Sequence, residues 1–284
     1  MHIQLMTDSG VDLPQHLIEK FELHIVPLNV IFGDDSYRAG VDLDLETFFE
    51  KMKASSELPK SSAPAPHTFY EAYKAVDPSK PILMLSLSEG LSSAYQNALM
   101  GKDMLLEEEP DRQIEVINTK TATCGMALMV QEAYTRIQEG YTFEDLTIHM
   151  EQRSEKVATL IVLKTLENLI KGGRLDRVKG ALARTLNIKL LMHGSEEGKI
   201  ELTEKVRGNK KAMRRFVDQV SEYSKNFEDK VIALSHGNNE ERAKSLLQEF
   251  KDRYHFKDTI LSDMGPLIAT YAGEGGFVIS FFKD

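Results

Sequence analysis

The sequence predicts an α/β protein of two domains: an N-terminal three-layer domain built on a parallel sheet and a smaller C-terminal α/β domain with a mixed sheet. At 284 residues the chain is longer than most single domains. Its first half repeats a cycle of apolar strand, small polar loop and helix, which indicates a parallel sheet. Its second half contains two apolar runs joined by a glycine-containing loop, which is typical of a hairpin and therefore of a mixed sheet. We place the domains at residues 1–155 and 156–284.

The elements predicted for the first domain rest on local start and stop signals. Residues 1–7 form an apolar run typical of a buried strand, and Asp12 followed by Pro14 marks the start of a helix. The residues Gly33-Asp34-Asp35 predict a hairpin turn. We further expect a strand at 24–32, a return strand ending near 38, strands at 81–87 and 114–117, helices at 44–52, 67–75 and 94–106, a helix ending at 138, and a loop at 57–66.

The second domain is predicted from the same kind of signal. The pair Gly172-Gly173 ends a short helix that begins at Thr165, and Gly194 and Gly198 mark the loop of the hairpin. The other expected elements are strands at 158–163, 188–192, 200–205 and 230–234, and helices at 179–186, 208–225 and 239–251. The stretch 264–282 is predicted to be a glycine-rich turn between two apolar runs.

The composition excludes several classes of partner and site. The formal net charge of -9 argues against nucleic acid and against an anionic bilayer surface, which both attract an excess of Lys and Arg. A single cysteine, Cys124, excludes an intrachain disulfide and a zinc site made of cysteines. The sequence has no apolar run of about 18 residues and no basic signal-peptide region. We therefore expect a soluble, cytoplasmic protein with no transmembrane segment.

The well-known catalytic and nucleotide-binding motifs are missing from the sequence. It has no GxGxxG after the first strand, no GxxxxGK followed by Ser or Thr, no HExxH and no GxSxG. The eight histidines show no metal-ligand spacing. We therefore expect a ligand-binding protein rather than an enzyme, with no catalytic residue, no cofactor and no metal.

Four loops rich in small hydroxyl residues remain as candidates for a site. Three of them follow predicted strands, at 7–9, 88–93 and 119–123, and the pair Ser61-Ser62 supplies the fourth. Hydroxyl groups and the first backbone N–H groups of a helix together can hold a carboxylate or a phosphate. Each serine could instead cap the helix after it, which stabilises a helix by about 1 kcal/mol. Because the strand ends of a parallel sheet meet at one edge, we favour a site.

Six segments, in order along the whole chain, resemble the DegV family. They are TDSGVDLP at 7–14, KSSAPAP at 60–66, LSEGLSSAYQNA at 87–98, INTKTATCGMAL at 117–128, the long block at 166–212 and GPLIATYAGEGG at 265–276. The resemblance implies a long-chain fatty acid bound between two α/β domains. Several proteins of this family serve as the fatty-acid-binding subunit of a bacterial fatty acid kinase. The partner subunit phosphorylates the bound acid from ATP, and the acyl-phosphate enters phospholipid synthesis.

The resemblance also implies roles for individual residues. Ser61 and Ser62 occupy the positions of the family's Thr-Ser pair, Ser92 is the serine of its LSG segment, and Ser93 replaces the glycine. The resemblance therefore implies that these four serines bind the ligand. Arg174 closes the KGGR segment and is implied to lie near the head group. Arg207, in EKVRG, is implied to lie on the surface that meets the kinase.

One position departs from the family pattern. Where family members commonly have a histidine that helps to hold the carboxylate, this chain has Tyr271. A tyrosine hydroxyl can donate a hydrogen bond but carries no positive charge near neutral pH. Tyr271 is therefore either a ligand-binding residue or a half-buried packing residue.

Two other functions stay open on the sequence. A stand-alone serine-dependent hydrolase or transferase would use Ser62 or Ser92 with His236 and an acid such as Asp8, although the nucleophile elbow is missing. A binder of another small anionic ligand, such as a phosphorylated metabolite, would use the same hydroxyl loops.

Overall fold

The computed structural model describes residues 3–55, 57–175 and 188–284. In the first half the elements are β1 (Gln4–Asp8), α1 (Gln15–Lys20), β2 (His24–Val26), β3 (Asn29–Phe32), β4 (Asp35–Arg38), α2 (Leu45–Ala54), β5 (Lys60–Ser62), α3 (Pro66–Lys74), β6 (Ile82–Ser86), α4 (Ala94–Glu108), β7 (Ile114–Asn118), α5 (Cys124–Gln138) and α6 (Phe143–Ser154). In the second half they are β8 (Val157–Val162), α7 (Glu167–Lys171), β9 (Ile188–Gly194), β10 (Ile200–Arg207), α8 (Asn209–Asp218), a 3-10 turn (Gln219–Glu222), β11 (Val231–His236), α9 (Glu240–Tyr254), β12 (Asp258–Asp263), α10 (Pro266–Ala272) and β13 (Phe277–Phe282). The predicted helix at 179–186 lies outside the described residues.

The first sheet confirms the predicted parallel arrangement. Its four strands lie in the order β2-β1-β6-β7, and every neighbouring pair is parallel. Along β6, Ile82 and Met84 pack with α3 and α4 on one face, while Leu83 and Leu85 pack with α5 on the other. Because helices cover both faces, all five residues of β6 are buried, and the strand is apolar throughout.

The second sheet confirms the predicted mixed arrangement. Its strands lie in the order β10-β9-β8-β13-β11-β12; the pair β11–β12 is parallel, and the other neighbours are antiparallel. Along β8, Leu160 and Val162 belong to the cluster formed with α8 and α9. The alternate residues Ile161 and Leu163 belong to the cluster shared with the first domain. Neighbouring side chains along β8 point to opposite faces of the sheet, so one set lies on its outer face and the other set on the face that meets the first domain.

Helix α5 lies between the two sheets. It contacts β1 and β6 of the first sheet, and β8, β11 and β13 of the second. Its first seven residues, 124–130, are all buried. A helix that is apolar on every side must be covered on every side, and here one sheet lies on each side of it. The layers therefore run helix, sheet, helix, sheet, helix.

A small antiparallel sheet of order β4-β3-β5 corrects two sequence predictions. The expected single strand at 24–32 is two strands: β2 pairs with β1, while β3 pairs with β4 and β5. Pro27 lies at the break, where a strand loses a backbone donor. The expected loop at 57–66 contains β5, because pairing with β3 outweighs the poor strand propensity of Lys60-Ser61-Ser62.

The sequence signals also fail to predict α6, β12 and α10. Helix α10 begins with Pro266 at its first turn and has only seven residues, so neither its length nor its glycine-rich surroundings distinguish it from a turn. Its position matters, because α10 carries Tyr271.

Candidate functional site

An apolar cavity lies between the two domains. Its empty space, counted together with its open mouth, is about 850 Å³. The first domain contributes Leu28, Leu87, Leu91 and Ala122. The second contributes Ile161, Leu163, Leu169, Ile200, Leu267 and Val278. The walls are therefore suited to a hydrocarbon chain.

Strand β8 defines the direction of the cavity. Thr159 and Ile161 of β8 alternate with Leu163, which directly follows the strand, and all three line the cavity. At about 3.3 Å per residue, Thr159 and Leu163 lie roughly 13 Å apart along the strand. We call the end beside Leu163 and α7 the polar end, since Ser61, Ser92, Arg174 and Tyr271 line it, and the end beside Thr159 the distal end.

The register of β5 decides which hydroxyl of the Ser61-Ser62 pair faces the cavity. Ser61 lies opposite Val30 of β3, which is fully buried, and Ser62 lies opposite Asn29. Neighbouring side chains on a strand point to opposite faces, so Ser61 reaches the cavity wall while Ser62 is exposed. The hydroxyl of Ser62 accepts a long hydrogen bond of 3.4 Å from the Asn29 side chain.

Tyr271 lies at the polar end and is bonded to Ser61. The two hydroxyl oxygens are 2.6 Å apart, and either can donate. The tyrosine ring packs against the backbone of Gly172, where an added Cβ would lie 2.4 Å from Cε1 of the ring. Gly172 therefore does more than end α7, because its missing side chain leaves the space that the ring of Tyr271 occupies.

Arg174 connects the two domains at the same end of the cavity. Its Nε donates to the carbonyl oxygen of Leu91 in the first domain at 3.2 Å, and its Nη1 donates to that of Gly172 at 2.6 Å. The guanidinium lies 5.0 Å from the ring centroid of Tyr271, within range of a cation–π contact. These contacts hold a positive charge beside the Ser61–Tyr271 pair.

The remaining residues predicted from the sequence lie in different places. Ser92 lines the cavity, and its Oγ also accepts from the backbone N–H of Ala94 at 3.2 Å, at the start of α4. Ser93 is exposed and lies outside the cavity wall. Arg207 is exposed at the end of β10. Of the residues proposed for the ligand, the structure thus brings together Ser61, Ser92, Arg174 and Tyr271.

The first hydroxyl loop does not reach the cavity. Asp8 is fully buried, and its carboxylate accepts hydrogen bonds from the backbone N–H groups of Leu87 and Gly10 and from the hydroxyl of Ser86. These bonds connect the end of β1 to the end of β6. Burial raises the pKa of Asp8 to about 6, although these hydrogen bonds oppose the shift. The hydroxyl of Ser9 accepts from the N–H of Leu28. This loop is therefore structural, whereas the other three contribute Ser61, Ser92, Thr121 and Thr123 to the wall.

The wall also contains residues that the sequence arguments miss. Thr159 and the apolar residues of β8 and α10 carry no motif, and only their alternation along a strand or a helix could have indicated a shared face. That signal shows that a face is buried, but it does not distinguish the wall of a cavity from a solid core.

Asp12 forms a second connection between the domains. Its Oδ1 accepts from the backbone N–H of Gly265, immediately before α10, at 2.8 Å. Burial raises the pKa of Asp12 to about 8, and the hydrogen bond from Gly265 acts in the opposite direction. The carboxyl group therefore holds its proton at neutral pH in the folded protein.

The hydrolase arrangement receives no support from the geometry. His236 is buried at the end of β11, where its Nδ1 accepts from the N–H of Asn239 and lies 3.3 Å from Asp263 Oδ1. Across the described ranges no hydrogen bond joins His236 to Ser62, Ser92 or Asp8. The pKa of His236 is lowered by burial.

The described residues contain neither a metal-binding cluster nor a membrane-spanning helix. No group of three or more His, Cys, Asp or Glu side chains in residues 3–55, 57–175 and 188–284 could hold a metal ion. Within the same ranges, no helix has the length and apolar character needed to cross a bilayer.

Known proteins resemble this chain over its whole length. The protein-family model described as "Uncharacterised protein, DegV family" matches residues 2–284 of this chain. A DegV domain-containing protein of Clostridium perfringens is 30% identical over 285 residues, with 100% of both chains covered.

Solved structures show the same fold with fatty acids bound. A DegV family protein from Ruminococcus gnavus, refined with vaccenic acid, is 31% identical, with a TM-score of 0.92 over 98% of this chain and 99% of the other. The Streptococcus pneumoniae Fatty Acid Kinase (Fak) B3 protein, loaded with linoleic acid, is 28% identical, with a TM-score of 0.88 and all of both chains covered.

The buried carboxyl of Asp12 leads to a prediction about stability and pH. The folded protein keeps a proton that the unfolded chain releases above its ordinary pKa of 3.8, so the free energy of unfolding falls as pH rises from about 4 to about 8. Asp12→Asn keeps an acceptor for Gly265 and a donor in place of the acid proton, but it cannot ionise. We expect the melting temperature of the variant minus that of the wild type to increase between pH 5 and pH 8. A difference that is constant over this range would show that Asp12 is ionised in the folded protein.

Proposed function

The chain belongs to the DegV family, and on that premise we propose that it binds a long-chain fatty acid between its domains, with the carboxylate at the polar end. The observation on which the proposal rests is the cavity itself, whose lining is largely aliphatic and also includes Ser61, Ser92, Arg174 and Tyr271. The relatives that hold vaccenic and linoleic acid support the same ligand class.

The acyl chain supplies the affinity in this proposal. A chain of about 16 carbons contributes on the order of 10 kcal/mol when fully buried, at about 0.8 kcal/mol per methylene and before the cost of ordering. Each hydrogen bond to the carboxylate contributes about 1.5–3 kcal/mol, and lost hydration offsets part of it. The polar end therefore determines the orientation of the ligand more than its affinity.

The polar end offers a carboxylate both donors and a charge. The hydroxyls of Ser61 and Tyr271 are paired with each other at 2.6 Å, so both can turn their protons toward an incoming anion. Arg174, held beside them by two backbone carbonyls, supplies the positive charge that a tyrosine cannot supply. We propose that Ser61, Ser92, Arg174 and Tyr271 form the carboxylate site, with Tyr271 acting as a donor.

We do not assign the carboxylate to the two lysines at the distal end. Lys120 and Lys199 line that end of the cavity, but the ammonium of Lys120 bonds to Glu155 at 2.5 Å. Long lysine side chains commonly place their apolar stems along a wall and keep the charge in water. The carboxylate is therefore assigned to the end where Arg174 and the paired hydroxyls meet.

We propose further that the bound acid is presented to the ATP-binding subunit of a fatty acid kinase, which forms an acyl-phosphate. The polar end opens into an outer groove that shares Ser61, Arg174 and Tyr271 with the cavity and adds Lys60 and Lys171. The sequence has no nucleotide motif of its own, so phosphorylation requires a partner. This assignment implies a cytoplasmic protein that binds its ligand without transforming it.

A basic surface is available for such a partner. Arg207 is exposed at the end of β10, and exposed Lys210, Lys211 and Arg214 follow on α8. A partner with an acidic or ATP-bearing face would associate faster with a surface of this charge. This surface is the one that we propose for the kinase.

A small phosphorylated metabolite fits the site less well. It would use the polar end but leave the leucine and isoleucine walls of the cavity in contact with water, at a cost proportional to their area. A phosphorylated metabolite is therefore the alternative ligand, and mass spectrometry distinguishes it from a fatty acid.

Native mass spectrometry of the purified protein tests the ligand class. We expect a bound mass in the fatty-acid range that organic extraction removes and that added oleate or palmitate restores. A protein that is free of lipid and takes up neither acid would overturn the proposal. Retention of a phosphorylated small molecule instead would favour the alternative ligand.

The two neighbouring serines form a matched pair for testing the carboxylate site. Ser61→Ala should weaken oleate binding roughly tenfold, as the loss of one hydrogen bond worth about 1.5 kcal/mol predicts. Ser62→Ala makes the same chemical change on the exposed face and should leave the affinity unchanged. Titration with a fluorescent fatty acid and displacement by oleate measures both. Equal effects of the two substitutions would contradict the assignment of Ser61.

Charge reversal tests the proposed kinase surface. With a fatty acid kinase ATP-binding subunit and ATP, Arg207→Glu should slow acyl-phosphate formation while leaving oleate affinity unchanged, because Arg207 lies outside the cavity. Arg242→Glu, an exposed arginine on α9, is the matched control and should retain the wild-type rate. If the two variants retain the same rate, this surface does not meet the kinase.

A further inference from the structure

Three hydroxyl groups form a row in the wall at the distal end of the cavity. Thr121 Oγ1 lies 2.9 Å from Thr159 Oγ1, which in turn lies 2.9 Å from Ser280 Oγ. Thr121 and Thr159 line the cavity, and Ser280 lies behind them, directly opposite Thr159 in the pairing of β13 with β8. We call these three residues the hydroxyl row. Gly194, Gly198 and Ile200 also line the cavity, together with the side chains of Lys120 and Lys199.

The loop that carries Thr121 is held in an unfavourable conformation on both sides of it. Lys120 has a φ of 54° and Thr123 a φ of 53°. A positive φ is rare for residues other than glycine and most costly for a β-branched residue such as threonine. Strain of this kind is kept where the surrounding structure overrides it, and it concentrates at ligand-binding sites. Here it presents the hydroxyl of Thr121 to the cavity.

Gly125 completes the placement of this hydroxyl. A Cβ at position 125 would lie 2.1 Å from Thr121 Oγ1, so only glycine leaves room for the Thr121 side chain in its present orientation. The hydroxyl is thus confined between the first turn of α5 and Thr159. A group confined in this way meets a ligand without losing further side-chain freedom.

The hydroxyl row has acceptor capacity that the protein does not use. Each hydroxyl has one proton and two lone pairs, so three of them provide six lone pairs. The two bonds within the row use two, and the thiol of Cys124, which lies 3.6 Å from Ser280 Oγ, uses at most one more. The hydroxyl of Thr121 also lies 3.4 Å from the carbonyl oxygen of Ala122, to which it can donate. Thr121 and Thr159 line the cavity and keep unused lone pairs, and a saturated chain would cover these hydroxyls without offering a donor.

We propose that the hydroxyl row is a subsite for an oxygen on the acyl chain, and that the ligands of this protein include long-chain fatty acids with a hydroxyl group remote from the carboxylate. The proposal rests on the proposed function, since it requires the carboxylate to lie at the polar end. The row lies roughly 13 Å beyond Leu163 along β8, so the matching hydroxyl is in the middle or outer part of the chain rather than beside the carboxylate.

The test compares stearic acid with hydroxystearic acids that carry the hydroxyl at carbon 9, 10 or 12, all by displacement of a fluorescent fatty acid from the intact protein. A purely apolar wall weakens the binding of a chain with an added hydroxyl by about a hundredfold. We expect at least one hydroxystearic acid to bind as tightly as stearic acid or more tightly. If each of the three binds more weakly than stearic acid, the subsite is refuted. If stearic acid itself does not bind, the proposed function fails instead.

Substitutions then separate a ligand-binding role from a purely structural one. Thr159→Val removes the hydroxyl but keeps the branched shape. The affinity for the hydroxystearic acid, divided by the affinity for stearic acid, should fall about tenfold in this variant, which corresponds to the loss of one hydrogen bond. Thr147→Val makes the same change on α6, outside the cavity, and should leave the ratio unchanged. Thr121→Val provides a second variant if Thr159→Val does not fold. A hydroxyl row that only braces the domains would lower thermal stability and leave the ratio unmoved in both variants, which would overturn the proposal.

Discussion

The burial of α5 between two sheets is the constraint on which the rest of this structure depends. Its first seven residues are apolar or small and are buried, and neither sheet alone could cover them. The first sheet covers one side, and β8, β11 and β13 of the second sheet cover the other. The two domains are therefore joined through a shared core, and the cavity is the part of their seam that α5 does not fill.

The seam beside α5 is held together by a small number of polar contacts. Ser88 donates to the carbonyl of Gly198 at the tip of the β9–β10 hairpin, Arg174 donates to that of Leu91, and Asp12 accepts from Gly265. Each contact joins a loop of the first domain to a loop or helix end of the second. The walls between them are apolar, so the interior of the seam is suited to hydrocarbon while its margins are polar.

This arrangement separates affinity from orientation in the proposed function. A hydrocarbon chain gains free energy wherever apolar walls cover it, so the walls do not determine which end of the ligand enters first. The polar end makes that distinction because a carboxylate finds charge and donors there. The buried hydroxyl row adds a second polar position in the cavity. In our proposal the polar end contacts the carboxylate and the hydroxyl row contacts an oxygen on the acyl chain.

The sequence by itself determined the class of the protein and the segments that form its site. Strand-loop-helix cycles predicted the parallel sheet, the glycine-containing hairpin predicted the mixed sheet, and the loops at Ser61-Ser62, 88–93 and 119–123 were identified from their hydroxyl content. These features are local, since a hydrophobic period or a run of small residues can be recognised in a short stretch of sequence without knowledge of its tertiary contacts. The DegV resemblance is equally a property of the sequence, and the family match over residues 2–284 agrees with it.

Only the tertiary structure decided which of those residues meet. Ser61 and Ser62 are equivalent by composition, and pairing with the distant strand β3 turns the first inward and the second outward. Tyr271 reaches Ser61 because α10, a helix without a clear sequence signal, packs its ring on Gly172. The apolar residues of β8 divide between core and cavity according to what lies opposite them. Such assignments depend on strand register and on contacts between residues far apart in sequence, and a period of two or of 3.6 carries no information about either.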